Sequence, residues 1–426
     1  MIMLTAFALF FAAVLLGMPI AVALGLTGIL IAWLSGVFNP VLISHVMYQG
    51  VDSFTLLAVP FFMLAGALME EGGISRRLMN FSFALVGRMR GGLAQVAVVL
   101  SMLFAGLSGS AVADTAAVGS LLIPSMKEKG YREGFSAALV AAGGAIGPII
   151  PPSIPMVIFA VIANVSVAEL FLGGVFPGIF FGLVLMAYSY VEAKRYDYPR
   201  ETAAFSFSFL GKTFREGILA FLMPIIILGG ILSGIFTATE SSVAAAVYAF
   251  IVGKFVYGDL RWNRIPEVFA SAARNTAGVM FIIAVASFLS WILTSRQIPQ
   301  AIARELLSLS TNPVVVLLML NAFILFLGCF IDAVSILVLI SPVALPIIRS
   351  LGIDPVYFGV LLVLNICLGA LTPPVGTCLF VASGVGGVNL TKTSRAILPI
   401  VGLAILCLGL AILFPNVIMY LPSLMR

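Results

Sequence analysis

The chain has 426 residues, of which 62% are hydrophobic and only 9% are charged. Ordinary soluble domains carry roughly a quarter charged residues, so this composition excludes a soluble protein built around a single core. The net charge of +5 at pH 7 does not call for a nucleic-acid partner, because a membrane protein that gathers its basic residues on one side explains it.

Apolar runs recur along the whole chain. The first, from Ile2 to Trp33, is longer than the roughly 7–15-residue core of a signal peptide and is predicted to be a retained membrane span. Many later runs have about 17–25 residues without a charge, which is the length of a membrane-spanning helix. Backbone inside lipid must satisfy its own hydrogen bonds, so these runs predict an all-α, polytopic membrane protein.

The run over 93–126 is interrupted by three small residues, Ser108, Gly109 and Ser110. Each arm has about 15 residues, which is short for a full crossing. The run therefore predicts a re-entrant helical hairpin rather than two spans.

The next run, over 135–165, is split near its middle. Two adjacent prolines remove backbone donors and clash with the preceding turn, so the helix is predicted to unwind there. The residues of interest in this break are Gly147, Pro148, Pro151, Pro152 and Ser153.

The second half of the chain repeats this order. A hairpin is predicted over 314–348 with Asp332 at its tip, followed by a discontinuous helix over 356–388. The break in that helix contains Thr372, Pro373, Pro374, Gly376 and Thr377.

The two halves match at a fixed offset of 222 residues. Six helix-breaking residues align without a gap, namely Pro124, Gly130, Gly147, Pro151, Pro152 and Pro177 with Pro346, Gly352, Gly369, Pro373, Pro374 and Pro399. Chance coincidence of six such residues in one register is less favoured than duplication. We therefore predict two repeats, 1–215 and 216–426, each with scaffold helices, a hairpin and a discontinuous helix.

Basic residues predict how the repeats are oriented. When the segment with Arg76 and Arg77 is placed in the cytoplasm, 18 of the 22 Lys and Arg residues fall on that side. The four on the far side are Arg296, Arg304, Arg349 and Arg426. This bias agrees with the positive-inside rule, and it makes the hairpins enter from opposite sides, so the repeats are inverted.

Two opened helices that face two hairpin tips predict two ion sites related by pseudo-symmetry. Unwound backbone exposes carbonyl oxygens, which suit a hard cation such as sodium, and half-helix N-termini, which suit an anion. The candidate sodium ligands are Ser108, Gly109, Ser110, Gly147, Pro148 and Ser153 at one site and Asp332, Thr372, Gly376 and Thr377 at the other. The candidate substrate-binding residues are Ser110, Ser153, Thr372 and Thr377, and the paired prolines have a structural or gating role.

Three acidic residues lie at apparent membrane depth, where they are functional candidates by default. Asp332 is a candidate for a sodium or gating role because of its place at a hairpin tip. Asp114 either holds the first hairpin in shape by hydrogen bonding or acts on an ion directly. Glu240 follows Thr237 by three residues, so a helix-capping role is favoured over a functional one.

No nucleophile elbow, Walker loop or HExxH motif is present, so an enzyme is not expected. The missing ATP-binding motif makes an ion gradient the predicted source of energy.

Seven stretches resemble, in order, the large membrane subunit (DctM-type) of tripartite ATP-independent periplasmic (TRAP) transporters. They are LAVPFFMLAG from Leu57, SGSAVADT from Ser108, PIIPPS from Pro148, GIFTATE from Gly234, IDAVS from Ile331, GIDP from Gly352 and LTPPVG from Leu371. The resemblance covers nearly the whole chain and is weakest over 259–311.

The resemblance implies a bacterial inner-membrane importer that works by an elevator mechanism. It implies a separate small four-helix membrane subunit (DctQ-type), a periplasmic substrate-binding protein, and an organic-acid substrate such as a C4-dicarboxylate or a sialic acid, with membrane lipid around the complex. It also implies two or more sodium ions, in regions that fall on 108–111 with 147–153 and on Asp332 with 372–377.

The nearest alternative is a related carrier, and the alternative from another class is a membrane enzyme or an assembly scaffold. A stand-alone sodium-coupled divalent-anion carrier shares the inverted hairpins but needs no binding protein. A membrane enzyme would show converging nucleophile or metal ligands, and an assembly scaffold would not need two opened helices. Finally, the segment 259–274 is predicted to be a surface-lying amphipathic helix with Trp262 as an interfacial anchor.

Overall fold

The structure is a computed structural model that describes residues 2–199 and 206–426. These residues form twenty α-helices and no β-strand, which confirms the predicted all-α fold. Arg200, one of the predicted cytoplasmic basic residues, lies outside the described residues. The helices are α1 Ile2–Leu15, α2 Ile20–Leu34, α3 Pro40–Val51, α4 Ala58–Glu71, α5 Ile74–Val86, α6 Gly92–Ser108, α7 Ala111–Glu128, α8 Glu133–Gly144, α9 Ile154–Ala163, α10 Val167–Arg195, α11 Phe207–Leu232, α12 Ala238–Ile251, α13 Ile265–Ser295, α14 Ile298–Leu309, α15 Pro313–Gly328, α16 Ala333–Ser350, α17 Pro355–Gly369, α18 Thr377–Gly386, α19 Leu390–Leu413 and α20 Asn416–Ser423.

Seven helical stretches among the described residues are long and apolar enough to cross a membrane. They are Phe54–Glu71, Val167–Arg195, Phe207–Leu232, Ala238–Val256, Trp262–Ser295, Ala333–Ser350 and Leu390–Leu413. The described residues also form six shorter apolar helices of 10–17 residues, and five of these six are arms of the hairpins or halves of the discontinuous helices.

Two helical hairpins are present, as predicted. Helices α6 and α7 pack together and are joined by Gly109 and Ser110, and α15 and α16 are joined by residues 329–332. Each second arm begins at a polar N-cap, because the side chains of Ser110 and Asp332 accept hydrogen bonds from the amides of Ala113 and Ser335. These caps satisfy amides that the first helical turn leaves unpaired.

Two discontinuous helices are also present. The first consists of α8 and α9 with residues 145–153 between them, and the second consists of α17 and α18 with residues 370–376 between them. Both breaks contain the predicted proline pair, and both Pro–Pro peptide bonds are cis.

The second half of each discontinuous helix packs against the hairpin of the other half of the chain. Helix α18 lies against α7, and α9 lies against α16. The chain therefore forms one interlocked unit from its two hairpins and its two discontinuous helices.

Ion pairs show that the discontinuous helices run in opposite directions. Lys392 Nζ lies 3.0 Å from Glu133 Oε2, which places the start of α8 beside the start of α19, just after α18 ends. Arg426 bridges Asp354 and Glu169 at 2.6 Å each, which places the start of α17 beside the start of α10, just after α9 ends. The inverted topology is therefore confirmed, whereas the division of the chain at 215 and 216 stays a prediction.

Outside this unit, α12 packs against α4 and α11, and α13 packs against α4. Helix α13 begins immediately after a short 3₁₀ turn, Trp262–Arg264, and continues without a break to Ser295. The prediction of a separate surface helix over 259–274 is therefore wrong. Pro266 lies in the first turn of α13, where a proline needs no amide partner and favours the start of a helix.

Candidate ion and substrate site

The tip of the first hairpin touches the first break through backbone atoms. Gly109 has φ +62°, and a Cβ at this position would lie 2.6 Å from the carbonyl oxygen of Pro152 and 3.2 Å from the amide nitrogen of Ile154. Beside it, Ser110 N donates to Ser108 Oγ at 3.1 Å. The structure thus brings the predicted residues of the first site together.

Asp114 lies behind this tip and is 1% exposed. Its Oδ1 accepts a hydrogen bond from Ser108 Oγ, and its Oδ2 has no hydrogen-bond partner among the described residues. A methyl group on Gly147 would overlap this carboxylate, so Asp114 fills the space between the hairpin tip and the break. The hydrogen bond that holds the hairpin is present, and a direct ion role for Asp114 stays a prediction.

The second hairpin meets the second break in the same manner. Val375 N donates to Cys329 O at 3.2 Å, which joins the tip to the break. At the adjacent residue, a Cβ on Gly328 would lie 2.7 Å from the Cα of Gly369, so α15 and α17 touch through backbone at this crossing. Side chains larger than hydrogen are excluded there.

Asp332 caps α16 at this second tip. Its Oδ1 accepts from Ser335 N at 3.1 Å, and its Oδ2 accepts from Ser335 Oγ at 2.6 Å. Gly376 lies across the break with φ +48°, and a Cβ there would lie 3.2 Å from the carbonyl oxygens of Ala370 and Thr372. Carbonyl oxygens thus converge around Gly376.

The breaks leave many backbone acceptors unpaired. Within the described part of the chain, the carbonyl oxygens of residues 147–152 and 371–375 accept no hydrogen bond. Most of the first break is buried, and buried carbonyl groups are normally paired. Oxygen atoms in this state can bind a cation without first giving up another partner.

The four predicted substrate-binding residues differ in what their hydroxyls do. Ser153 is fully buried and caps α9 by accepting from Met156 N at 3.3 Å, and Ser110 caps α7. Thr372 Oγ1 donates to Leu368 O at 2.8 Å within the preceding helix. Thr377 begins α18, and α18 packs against α7, so this helix lies beside the first hairpin as well.

Glu240 is the predicted site residue that the structure places at neither a hairpin nor a break. It lies in the first turn of α12, which packs against α4 and α11. Its carboxylate accepts from Thr237 N and from Thr237 Oγ1, each at 2.8 Å, and Glu240 N donates to Thr237 Oγ1 at 3.2 Å. This reciprocal arrangement is a capping box, which stabilises the start of the helix.

A buried pair of asparagines near the second site was not predicted. Asn365 Nδ2 on α17 donates to the backbone oxygen of Asn321 at 2.8 Å and to its side-chain oxygen at 2.7 Å, which fastens α17 to α15. Asn365 Oδ1 has no partner among the described residues. The signal that could have revealed these residues is a lone amide inside a long apolar run.

A polar cavity of about 150 Å³ next to the first site was also not predicted. Ser108, Ser110 and Asp114 line it from the hairpin, and Glu70, Ser271 and Asn275 line it from α4 and α13. Ser271 and Asn275 are four residues apart, so they share one face of α13. The cavity therefore lies between the hairpin and the surrounding helices.

Residues 7–417 match the sequence model of a family described as "Tripartite ATP-independent periplasmic transporter, DctM component". The C4-dicarboxylate TRAP transporter large permease protein DctM of Pseudomonas aeruginosa is 41% identical over 401 residues, covering 94% of each chain. The isethionate TRAP transporter permease protein DctMQ of Oleidesulfovibrio alaskensis is 39% identical over 414 residues. That alignment covers 97% of this chain and only 65% of the relative, so the chain spans less than two thirds of the relative's length.

The crystal structure of the YdaH transporter of Alcanivorax borkumensis shares the fold, with a TM-score of 0.59 at 17% identity over 86% of this chain and 87% of that one. The family match over nearly the whole chain confirms the resemblance found in the sequence motifs, and the relatives are named as transporter permeases. The chain is therefore a multi-pass protein of the bacterial inner membrane and belongs to the DctM component of the tripartite ATP-independent periplasmic transporters.

Proposed function

We propose that this chain uses a sodium gradient to import an organic acid that a periplasmic binding protein delivers. The observation that carries the proposal is the pair of breaks, each of which contains unpaired carbonyl oxygens and contacts a hairpin tip. Unwound backbone of this kind coordinates sodium in secondary transporters, and two equivalent breaks support at least two ions. The candidate ligands are those predicted from the sequence.

The substrate is proposed to be a small organic anion such as a C4-dicarboxylate or a sialic acid. Helices α7, α9, α16 and α18 all begin at the hairpin tips or the breaks. Helix N-termini carry partial positive charge and unpaired amides, which favour a carboxylate. The two relatives are named for C4-dicarboxylate and for isethionate, which are both small organic anions.

Transport is proposed to follow an elevator mechanism. The hairpins and discontinuous helices interlock across the two halves of the chain, which supports movement as one body. The surrounding helices α4, α11, α12 and α13 form the fixed scaffold in this proposal. The polar cavity between the first hairpin and α13 lies at the proposed boundary between the moving and fixed parts.

A separate small four-helix membrane subunit is proposed as a partner. The name of the relative DctMQ combines an M and a Q component, which supports a small membrane component as a partner in transport. Membrane lipid surrounds the assembly, against the many exposed apolar side chains on the long helices.

The decisive experiment is uptake into proteoliposomes that contain this chain and its small membrane partner. A panel of labelled organic anions is offered with and without an inward sodium gradient, and with and without the binding protein. We expect uptake only when both the gradient and the binding protein are present.

Sodium-driven uptake without a binding protein would instead assign the chain to the stand-alone carriers. Uptake that depends on the binding protein but not on sodium would contradict the proposed ion coupling. Liposomes with the small partner alone serve as the control for leakage.

A further inference from the structure

Two basic residues hold the ends of half-helices that belong to the opposite half of the chain. Lys127 lies in the last turn of α7, and its Nζ donates at 3.2 Å to the carbonyl oxygen of Gly386, the last residue of α18. Arg349 lies in the last turn of α16, and its Nη2 donates at 3.0 Å to the carbonyl oxygen of Ala163, the last residue of α9. Lys127 and Arg349 are 222 residues apart, so the same contact occurs twice in the repeat.

The chemistry of these contacts is that of a helix C-terminus. The last carbonyl groups of a helix have no partner inside it and carry partial negative charge. A cationic side chain can donate hydrogen bonds to these carbonyl oxygens and balance their partial negative charge. Helices α9 and α18 have only ten residues each, so a large share of their backbone groups lies at an end. Lys127 has a further contact, 3.8 Å to Glu133 Oε1.

The contacts cross between the two proposed sodium sites. Helix α18 begins at the second break, lies along α7 and is held at its end by the first hairpin. Helix α9 begins at the first break, lies along α16 and is held at its end by the second hairpin. Each site therefore contains a half-helix whose position depends on the hairpin of the other site.

We infer that Lys127 and Arg349 are positioning residues that couple the two ion sites. An ion that orders one break fixes the half-helix that starts there, and the held end of that half-helix fixes the opposite hairpin. The second ion then binds a site whose walls are already in place. The inference rests on the proposed function, because it needs two sodium sites.

The test measures sodium binding without transport. The chain and its small partner are placed in nanodiscs, and the melting temperature is followed as sodium replaces choline at constant ionic strength. Lys127→Gln and Arg349→Gln each remove the cation that holds one half-helix end, and Lys127→Gln also removes the 3.8 Å contact with Glu133. Arg395→Gln and Arg304→Gln remove one positive charge from an exposed position on the same predicted side and serve as matched controls.

The wild-type chain and both controls are expected to respond to sodium cooperatively, with a Hill coefficient above 1. Both glutamine variants are expected to fall to about 1, since coupling between two sites is reciprocal. Lys127→Arg and Arg349→Lys keep a cation and are expected to recover the cooperative response. If a glutamine variant does not fold, Lys127→Met or Arg349→Met keeps the aliphatic stem and loses the charge.

Cooperative binding that survives in both charge-removing variants would overturn the inference and leave the proposed function intact. A purely structural role predicts a lower melting temperature at all sodium concentrations with an unchanged Hill coefficient, which also overturns it. A wild-type chain that does not respond to sodium refutes the proposed function, and the inference with it.

Discussion

Gly109 meets two separate requirements at the tip of the first hairpin. Its φ of +62° lies in the left-handed region, and its hydrogen atom faces the carbonyl oxygen of Pro152. Gly352 has a similar φ of +69°, but a Cβ there would have nothing within 4 Å. The two glycines therefore separate the effect of backbone conformation from the effect of contact with the break.

Gly109→Ala is expected to reduce sodium-driven uptake roughly tenfold or more, because the added methyl group pushes the tip away from the break. Gly352→Ala is expected to lower the stability by about 1–2 kcal/mol, the usual penalty for a left-handed alanine, with uptake close to wild type. Uptake and melting temperature are measured on both variants. Equal loss of uptake in the two would show that the contact with Pro152 has no special role.

Asp332 can be tested by separating its charge from its capping bond. Asn caps a helix about as well as Asp, so Asp332→Asn is expected to keep the chain stable, whereas Asp332→Ala loses about 1 kcal/mol. If the carboxylate acts on sodium, Asp332→Asn raises the sodium concentration for half-maximal uptake roughly tenfold. An unchanged sodium dependence of uptake in Asp332→Asn would show that Asp332 acts only as a helix cap.

At the scale of the helices, the start of α17 depends on one carboxylate. Asp354 caps α17 by accepting from Val356 N at 2.7 Å, and it also pairs with Arg426. Burial raises the pKa of Asp354, but the hydrogen bonds from Arg426 and Val356 N outweigh it, so the pKa is lowered overall. A lowered pKa means that the ionised form stabilises the fold at neutral pH and that this stability is lost as the pH falls through the lowered value.

Asp354→Asn keeps the cap and removes the ion pair, so it is expected to lower the stability by about 0.5–1 kcal/mol at pH 7. The difference from wild type is expected to shrink as the pH falls from about 4, the ordinary pKa of an aspartate, through the lowered pKa of Asp354 in the folded chain. Melting temperatures at a series of pH values measure this. Asp197→Asn is the control, because Asp197 pairs with Arg90 but its side chain is 86% exposed. A difference in melting temperature between wild type and Asp354→Asn that does not vary with pH would contradict a stabilising ion pair between Asp354 and Arg426.

The breaks and hairpins could be predicted because they depend on local chemistry. Paired prolines interrupt a helix wherever they occur, and Gly109 and Ser110 suit a turn and a cap on their own. The Asn321–Asn365 pair and the Lys127–Gly386 contact join residues 44 and 259 positions apart, so they depend on which helices pack together. The prediction of a surface helix at 259–274 was wrong for a related reason, since the continuation of α13 depends on its packing against α2, α3 and α4.

At the scale of the whole molecule, the orientation in the membrane can be tested by labelling. The four native cysteines are free and are replaced first. A cysteine in place of Arg304 is expected to react with a membrane-impermeant maleimide in intact cells, whereas one in place of Arg395 reacts only after permeabilisation. The reason is that the positive-inside rule places Arg395 in the cytoplasm and Arg304 outside. Labelling of both positions from the same side would contradict the predicted orientation.

The crossed packing of α7 on α18 and of α16 on α9 also bears on the ancestry of the chain. A half-length protein would have one hairpin and one discontinuous helix, and the second half of that helix would lack a hairpin to lie on. Two copies in opposite orientations supply this surface to each other, so the ancestor that fits is an antiparallel homodimer inserted both ways. Such a protein cannot concentrate its basic residues on one side of the membrane, because every loop lies in the cytoplasm in one copy and outside in the other. Duplication of such a protein would leave the two halves free to differ, and Arg349 lies on the predicted outer face, where basic residues are scarce.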